Sequence, residues 1–215
     1  KMSVKVEVWG EYACFTRMEF KSERYSYDVP TPSAARGILE SVYWHHGLCY
    51  KIDRIYVMKP IRFINIKRNE IEHKISKDSI EKEVYGKGTA YIDRTKEAKL
   101  RSTTMLRDVH YVIEAHFEMT DEANETDNPG KFQDIIKRRL RKGQMFSQAY
   151  LGTRECTAHL RLWEGGKIET IKETRDLGFM LYDMDYSNPK DIQPMFFHAK
   201  MKDGVLDLTN CEVVK

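Results

Sequence analysis

Arg36, Glu40 and Tyr43 recur at intervals of four and three residues, which sets them in one stripe of a helix, and Trp44, His45 and His46 follow directly. A phenol, two imidazoles and a guanidinium within so short a stretch could take a proton from one oxygen and return it to another. The second chemically loaded stretch is KFQDIIKRRLRK, residues 131–142, where Lys131, Lys137, Arg138, Arg139, Arg141 and Lys142 stand against the single acid Asp134. Lys131, Asp134, Arg138 and Arg141 share the face turned away from Phe132 and Ile136. Lys131 falls in the first turn, where free backbone N–H groups and the helix dipole favour an anion. Two further turns of arginine behind it could follow a phosphate backbone.

Each feature also has a plainer reading. The cations could be the solvated face of a basic helix. Tyr43 could be a half-buried tyrosine with a satisfied hydroxyl, and His45 and His46 helix-end histidines at the surface. Metal chemistry finds little support, because the chain holds no HxH and no cluster of carboxylates at ligand spacing. His110 and His116 fall on one strand face, too far apart to share an ion. The GKG at 86–88 is too short and unflanked for a nucleotide-phosphate loop. No metal and no cofactor is expected.

The elements that must position these groups are readable in part. Val4, Val6 and Val8 alternate in a strand ending at Gly10. Thr31 and Pro32 open a helix buried through Ala35, Ile38, Leu39 and Val42. Residues 50–58 read as a second strand stopped by Pro60. Residues 61–106 are strongly charged, with a turn-prone YGKG at 85–88, and suggest a long, partly mobile β-hairpin projecting from the core. A strand at 107–119 follows, and then a helix from about 129 to 142, with Asn128 as cap, Pro129 in its first turn and Gly143 as its stop. Strands are expected at 157–163, 178–184 and 195–208, with tight turns at Gly165-Gly166 and Asp203-Gly204. That order fits an α+β, ferredoxin-like (RRM-like) sandwich with a β-rich C-terminal extension.

Bulk composition bounds the rest. With 215 residues, 41% of them hydrophobic, the chain can bury one sizeable core. The balance of 36 basic and 33 acidic residues leaves a formal charge of +3, so the local basic helix, not the total, is what suggests a polyanion. No run reaches the length of a membrane span and no secretory signal opens the chain, so no membrane partner and a cytoplasmic location are expected. Cys14, Cys49, Cys156 and Cys211 are widely spaced and read as reduced thiols. Lys1 precedes Met2 and reads as a remnant of expression.

Five strings go further: SYDVPTPSAARGILESVYW (26–44), VMKPI (57–61), LRDVHYVIEAHF (106–117), NPGKFQDIIKRRLRKGQ (128–144) and YLGTREC (150–156). In this order they resemble the Cas-five, subtype d, branch of the RAMP superfamily, the pre-crRNA endoribonucleases of type I-C CRISPR systems. The resemblance spans roughly residues 2–156 and fades into the C-terminal part. It implies a ferredoxin-like RNA-binding and catalytic domain over 1–156, with 61–106 as its hairpin, and a β-rich extension over 157–215. It also implies metal-independent cleavage of the CRISPR repeat RNA at the base of its stem-loop. The protein would then stay on the 5′ handle of the crRNA, beside other type I-C effector subunits; duplex DNA stays open as a further partner.

Members of that family with a worked-out site use a tyrosine, a lysine and a histidine. The tyrosine of the family's ES-hydrophobic-YW string falls on Tyr43, and the lysine of its GKH string on Lys131. The histidine should come next, but Phe132 stands there. A tyrosine base also needs a cation beside it, since a phenol in water ionises near pH ~10. Arg36, at turn spacing on the same stripe, and Lys131 are the candidates. His45 or His46 is expected to replace the missing histidine, and Arg36, Lys137, Arg138, Arg141, Lys142 and Arg154 to hold RNA. Two other readings stay open: a scaffold that grips the handle without cutting, and an ordinary RNA- or protein-binding ferredoxin-like module.

Overall fold

Alternation of Val4, Val6 and Val8 against Lys5, Glu7 and Trp9 builds β1 (Ser3–Ala13) in the computed structural model of this chain, which describes residues 3–20 and 23–215. Lys1, read as an expression remnant, lies outside the described residues. The strand does not stop at Gly10. A Cβ there would stand 2.6 Å from Leu151 Cδ1 and 2.8 Å from the Thr157 carbonyl oxygen, so the glycine admits a close neighbour within a continuing strand.

After β2 (Arg24–Tyr25) comes α1 (Pro32–Val42), opened by the Thr31 side chain, which accepts from the Ala34 amide at 3.1 Å. Its buried side includes Ala35, Ile38, Leu39 and Val42, as the periodicity predicts. β3 (Leu48–Val57) and β4 (Phe63–Ile71) follow, then two short helices, α2 (Lys77–Val84) and α3 (Arg94–Glu97). β5 (Ala98–Met119) is 22 residues long and begins nine residues before the strand expected at 107. Its first half pairs with β4, from Phe63 opposite Leu106 to Ile71 opposite Ala98, and its second half pairs with β1 and β3. The charged 61–106 stretch is thus a hairpin with two helices at its end. Neither helix buries a residue, and Ser76 and Asp93 cap them locally.

The second long helix is α4 (Pro129–Arg141). The Asn128 side chain accepts from the Lys131 amide, and Gly143 leaves the helix at φ +63°. β6 (His159–Leu162), β7 (Arg175–Asp185), β8 (Gln193–Lys202), β9 (Val205–Asp207) and β10 (Val213–Val214) complete the chain. The expected 195–208 strand is broken into β8 and β9 by the Asp203-Gly204 turn, both residues at positive φ.

One largely antiparallel sheet runs in the order β10-β8-β9-β3-β5-β1-β6, with β2, β4 and β7 attached to its members. The C-terminal strands enter it through β9, which pairs with β3. β7 packs on α1, so this curled sheet reaches both sides of that helix. A single apolar cluster joins Val4, Val6 and Val8 of β1, Ile113 and Ala115 of β5, Ile38 and Leu39 of α1, and Phe132 and Ile136 of α4. α1 and α4 pack on each other, and Tyr43, just past the end of α1, meets Phe132 of α4.

Candidate functional site

The helix of Arg36 and Glu40 ends one residue before Tyr43, which turns to extended backbone at φ −152° and ψ 119°. Two bonds fix that exit. The Tyr43 amide donates to the Leu39 carbonyl at 3.1 Å, and the Tyr50 hydroxyl donates to the Tyr43 carbonyl at 2.9 Å. Burial of Tyr50 pushes its phenol far above the usual range, so that hydroxyl stays a donor. From this anchored exit the Tyr43 ring lies 6.1 Å from the Phe132 ring and 6.3 Å from the His45 ring, centroid to centroid. His45 in turn stands 5.1 Å from Phe132 and is stacked on His46 at 4.2 Å.

Phe132 is therefore the floor of the site. It is fully buried, meets Phe117 edge-on at 6.4 Å, and carries Tyr43 and His45 above it. One helical position earlier, Lys131 Nζ donates to Asp127 Oδ1 at 2.7 Å, and the other oxygen of Asp127 lies 3.9 Å from His45 Nε2. Asp127 thus joins Lys131 to His45. The ammonium holds its carboxyl down at about 2, with the Asn124 amide as the next cause. The Lys131 and Phe132 amides are both taken by Asn128, through its side chain at 2.9 Å and its carbonyl at 3.3 Å. A phosphate here would meet the lysine's charge, not the row of free N–H groups that the sequence reading placed at this helix end.

The two histidines differ in their freedom. His45 Nδ1 accepts from the Gly47 amide at 3.1 Å, so it keeps its lone pair there and the neutral ring carries its proton on Nε2, toward Asp127. Gly47 has no room for a side chain, since a Cβ would lie 2.7 Å from the Ala123 Cα. His46 is exposed and its ring stacks on that of His45, while its carbonyl accepts from the Thr120 hydroxyl at 2.6 Å.

The other candidates are dispersed. Arg36 makes a bidentate pair with Asp183 of β7, one arm at 3.0 Å, and lies 3.4 Å from Glu40. It is turned toward the C-terminal strands. The cation that reaches Tyr43 is Arg139, whose guanidinium sits 5.1 Å from the ring centroid while donating to the Val42 carbonyl at 2.7 Å. Arg138 and Lys142 are exposed, Arg141 pairs with Glu164 at 2.8 Å, and Lys137 lines a cleft with Arg141, Lys5 and Trp163. Arg154 is exposed in the turn after Leu151, beyond α4. Sequence reasoning missed two members of the site. Asp127 stands four residues before Lys131, an ion-pair spacing, but it precedes the helix and its capping residue, outside the stripe that periodicity reads. Arg139 lies on the flank of the basic helix that packs on α1, which no periodicity within one helix reveals.

All four cysteines are free, and burial raises the thiols of Cys14, Cys156 and Cys211. Among the described residues no group of three His, Cys, Asp or Glu side chains could hold a metal ion, and no helix is long and apolar enough to cross a membrane.

The family described as CRISPR-associated protein (Cas_Cas5), subtype Cas5d, matches residues 3–209. Two curated relatives are called CRISPR pre-crRNA endoribonuclease Cas5d. The protein from Mannheimia succiniciproducens is 43% identical over 213 residues, covering 95% of this chain and 94% of its own. That from Thermus thermophilus is 36% identical, covering 95% of this chain and 90% of its own. Among solved structures, one titled as a CRISPR-associated protein has a TM-score of 0.70 at 23% identity over 100% of this chain and 97% of its own. A protein from Streptococcus mutans matches as well, with a TM-score of 0.70 at 22% identity, over 100% of this chain and 98% of its own.

Proposed function

The chain belongs to the Cas5d family of CRISPR-associated proteins, and on that footing we propose that it is a pre-crRNA endoribonuclease that cuts the CRISPR repeat RNA without a metal. The observation that carries this reading is the grouping of Tyr43 and His45 over Phe132, with His46 stacked on His45 and Lys131 linked to His45 through Asp127. Metal-free scission needs the 2′-OH deprotonated, charge on the phosphorane stabilised, and the departing 5′-oxygen protonated. The 2′-oxygen bonds to phosphorus as the bond to the 5′-oxygen breaks, leaving a 2′,3′-cyclic phosphate and a 5′-OH.

In this scheme Tyr43 takes the 2′-OH proton, with the Arg139 guanidinium supplying positive charge beside its ring. Lys131 neutralises the phosphorane, and Asp127 holds the lysine until RNA arrives. The histidine absent at position 132 is replaced by a pair with divided work. His45, fixed by Gly47, donates a hydrogen bond from Nε2 to a phosphate oxygen, and His46, exposed beside it, protonates the 5′-oxygen. Arg138, Arg141, Lys142 and Lys137 guide the RNA backbone along α4, while Arg36 and Arg154 contribute from outside the cluster.

The assembly β1-α1-β3-β5-α4-β6 is proposed as a ferredoxin-like unit: its strand order β3-β5-β1-β6 and two packed helices support it. Since β6 pairs with β1, the unit is drawn through Leu162, one strand beyond the boundary expected at 156. The hairpin over 61–106 and the remaining strands are its extensions. A cytoplasmic location suits the four free thiols. We further propose that the protein keeps the crRNA 5′ handle and joins other type I-C effector subunits, a solved structure titled "CRISPR RNA-guided surveillance complex" having a TM-score of 0.52 to this chain. Duplex DNA is a further candidate ligand.

The second reading, a scaffold that grips the handle without cutting, draws on one observation, the buried phenylalanine at the family's histidine position. Single-turnover cleavage of the cognate repeat separates them. His46→Ala should slow cleavage strongly and His45→Ala should weaken it less, each product carrying a 2′,3′-cyclic phosphate. Equal rates for wild type and the double variant would remove the histidines from the mechanism.

A further inference from the structure

The loop after α4 presents a feature that the cutting chemistry does not use. Phe146 is 76% exposed, and among the described residues no aromatic ring packs on it. The ring is not on a loose segment. The amides of Phe146 and Ser147 both donate to the Ser41 carbonyl, at 2.8 and 3.1 Å, which moors the loop to α1. The Gln144 amide donates to the Arg139 carbonyl at 2.9 Å, and Gly143 makes the turn at positive φ. Arg139, Gly143, Gln144, Met145 and Phe146 line an open depression of about 580 Å³. Among the described residues no carboxylate lines it.

This depression adjoins the candidate active site through a shared residue, because the Arg139 guanidinium also lies 5.1 Å from the Tyr43 ring. An exposed aromatic face, a guanidinium and a side-chain amide are the three groups that hold an unpaired nucleobase: stacking, charge toward the backbone, and a donor–acceptor pair for the base edge. An apolar occupant would leave the Gln144 side-chain amide unused, and a protein acid would leave Phe146 unused.

We propose that this depression is a nucleobase subsite, in which the base of a nucleotide flanking the scissile phosphate stacks on Phe146 between Arg139 and Gln144. The proposal rests on the pre-crRNA reading and deepens it, since stacking there would splay the strand and present the adjoining phosphate to Tyr43 and Lys131.

The test uses the full chain and a repeat RNA made uncleavable by a 2′-deoxy sugar at the cut position, with 2-aminopurine placed in turn at each nucleotide flanking that position. Wild type and Phe146→Trp should quench one of these probes. Phe146→Ala should restore its fluorescence and weaken binding about tenfold, the usual loss of one base–aromatic stack, with an unchanged melting temperature because the ring is exposed. If Phe146→Ala binds and quenches like wild type, the subsite is wrong and the ring belongs to a protein partner's interface. Failure of wild type to bind or to quench any flanking probe overturns the proposal equally. Cleavage of unmodified RNA, followed in parallel, separates the two ideas. Quenching that depends on Phe146 without any cleavage refutes the nuclease and keeps the subsite, while cleavage indifferent to Phe146 does the reverse.

Discussion

Restoring the family's histidine, by Phe132→His, asks whether position 132 belongs to the chemistry or to the core. The phenylalanine is 0% exposed and its ring touches those of Tyr43, His45 and Phe117 at 6.1, 5.1 and 6.4 Å. Truncating such a residue to alanine costs about 3–5 kcal/mol. An imidazole refills part of the space, but at least one ring nitrogen would lack a partner among those aromatic walls, a penalty of about 1–3 kcal/mol. A net loss of about 2–4 kcal/mol follows, which for a chain of this size lowers the melting temperature by roughly 5–15 °C. Because the new imidazole would lie beneath Tyr43 and His45, single-turnover cleavage by the folded variant should not rise. Thermal melting read by circular dichroism and cleavage of the repeat RNA below the transition measure both quantities. An unchanged melting temperature with a tenfold gain in cleavage would refute the reasoning, since position 132 would then face substrate.

Other consequences are as direct. Lys131→Ala should slow single-turnover cleavage about 100-fold, as expected for loss of one charge-stabilising group, while RNA affinity changes much less. Arg138→Ala and Arg141→Ala should weaken binding and flatten its dependence on salt by roughly 0.7 per lost phosphate contact; identical behaviour of all three variants would contradict the division of roles. The Asp127 carboxyl sits at about 2 against an ordinary value of 3.8, so its contribution to stability is fully present above that ordinary value and fades as pH falls through about 2. Asp127→Asn should therefore flatten the acid limb of a urea-midpoint profile between about pH 4 and 2, and an unaltered limb would remove the Lys131 pair from the account. Gly152→Ala should prevent stable folding. Its φ is +87° and a Cβ would lie 2.0 Å from the Cys14 carbonyl oxygen, a backbone atom that cannot move aside, so soluble variant protein with a wild-type melting temperature would contradict the structure.

Much of the scaffold was legible because its signals are local. Thr31-Pro32 and Asn128-Pro129 mark helix starts whose caps form as the residue types dictate, and the Val4–Val6–Val8 alternation names its own buried face. What escaped the sequence depends on partners distant in the chain. Gly10 looked like a strand end, yet it is a close approach to Leu151 and Thr157, about 140 residues away. β5 was expected to start at 107 because charged residues there mask a strand that pairs with β4 on one side of Leu106 and with β1 on the other. At the site, Tyr43, Lys131 and the histidines were visible as types. Their meeting around Phe132 required two helices to pack, and so did the exchange of Arg36, held by Asp183, for Arg139 as the cation beside Tyr43.

The claim on which the rest depends is that this chain cuts repeat RNA with its own side chains and the substrate's 2′-oxygen. One incubation tests it: the protein with its cognate repeat RNA in EDTA, beside the same RNA carrying a single 2′-deoxy sugar at the cleavage position. Undiminished cleavage of the first, leaving a 2′,3′-cyclic phosphate, is expected, and none of the second, with equal binding of both. Cleavage abolished by EDTA, or of both RNAs alike, would contradict the mechanism, and tight binding without cleavage of either would make the protein a scaffold.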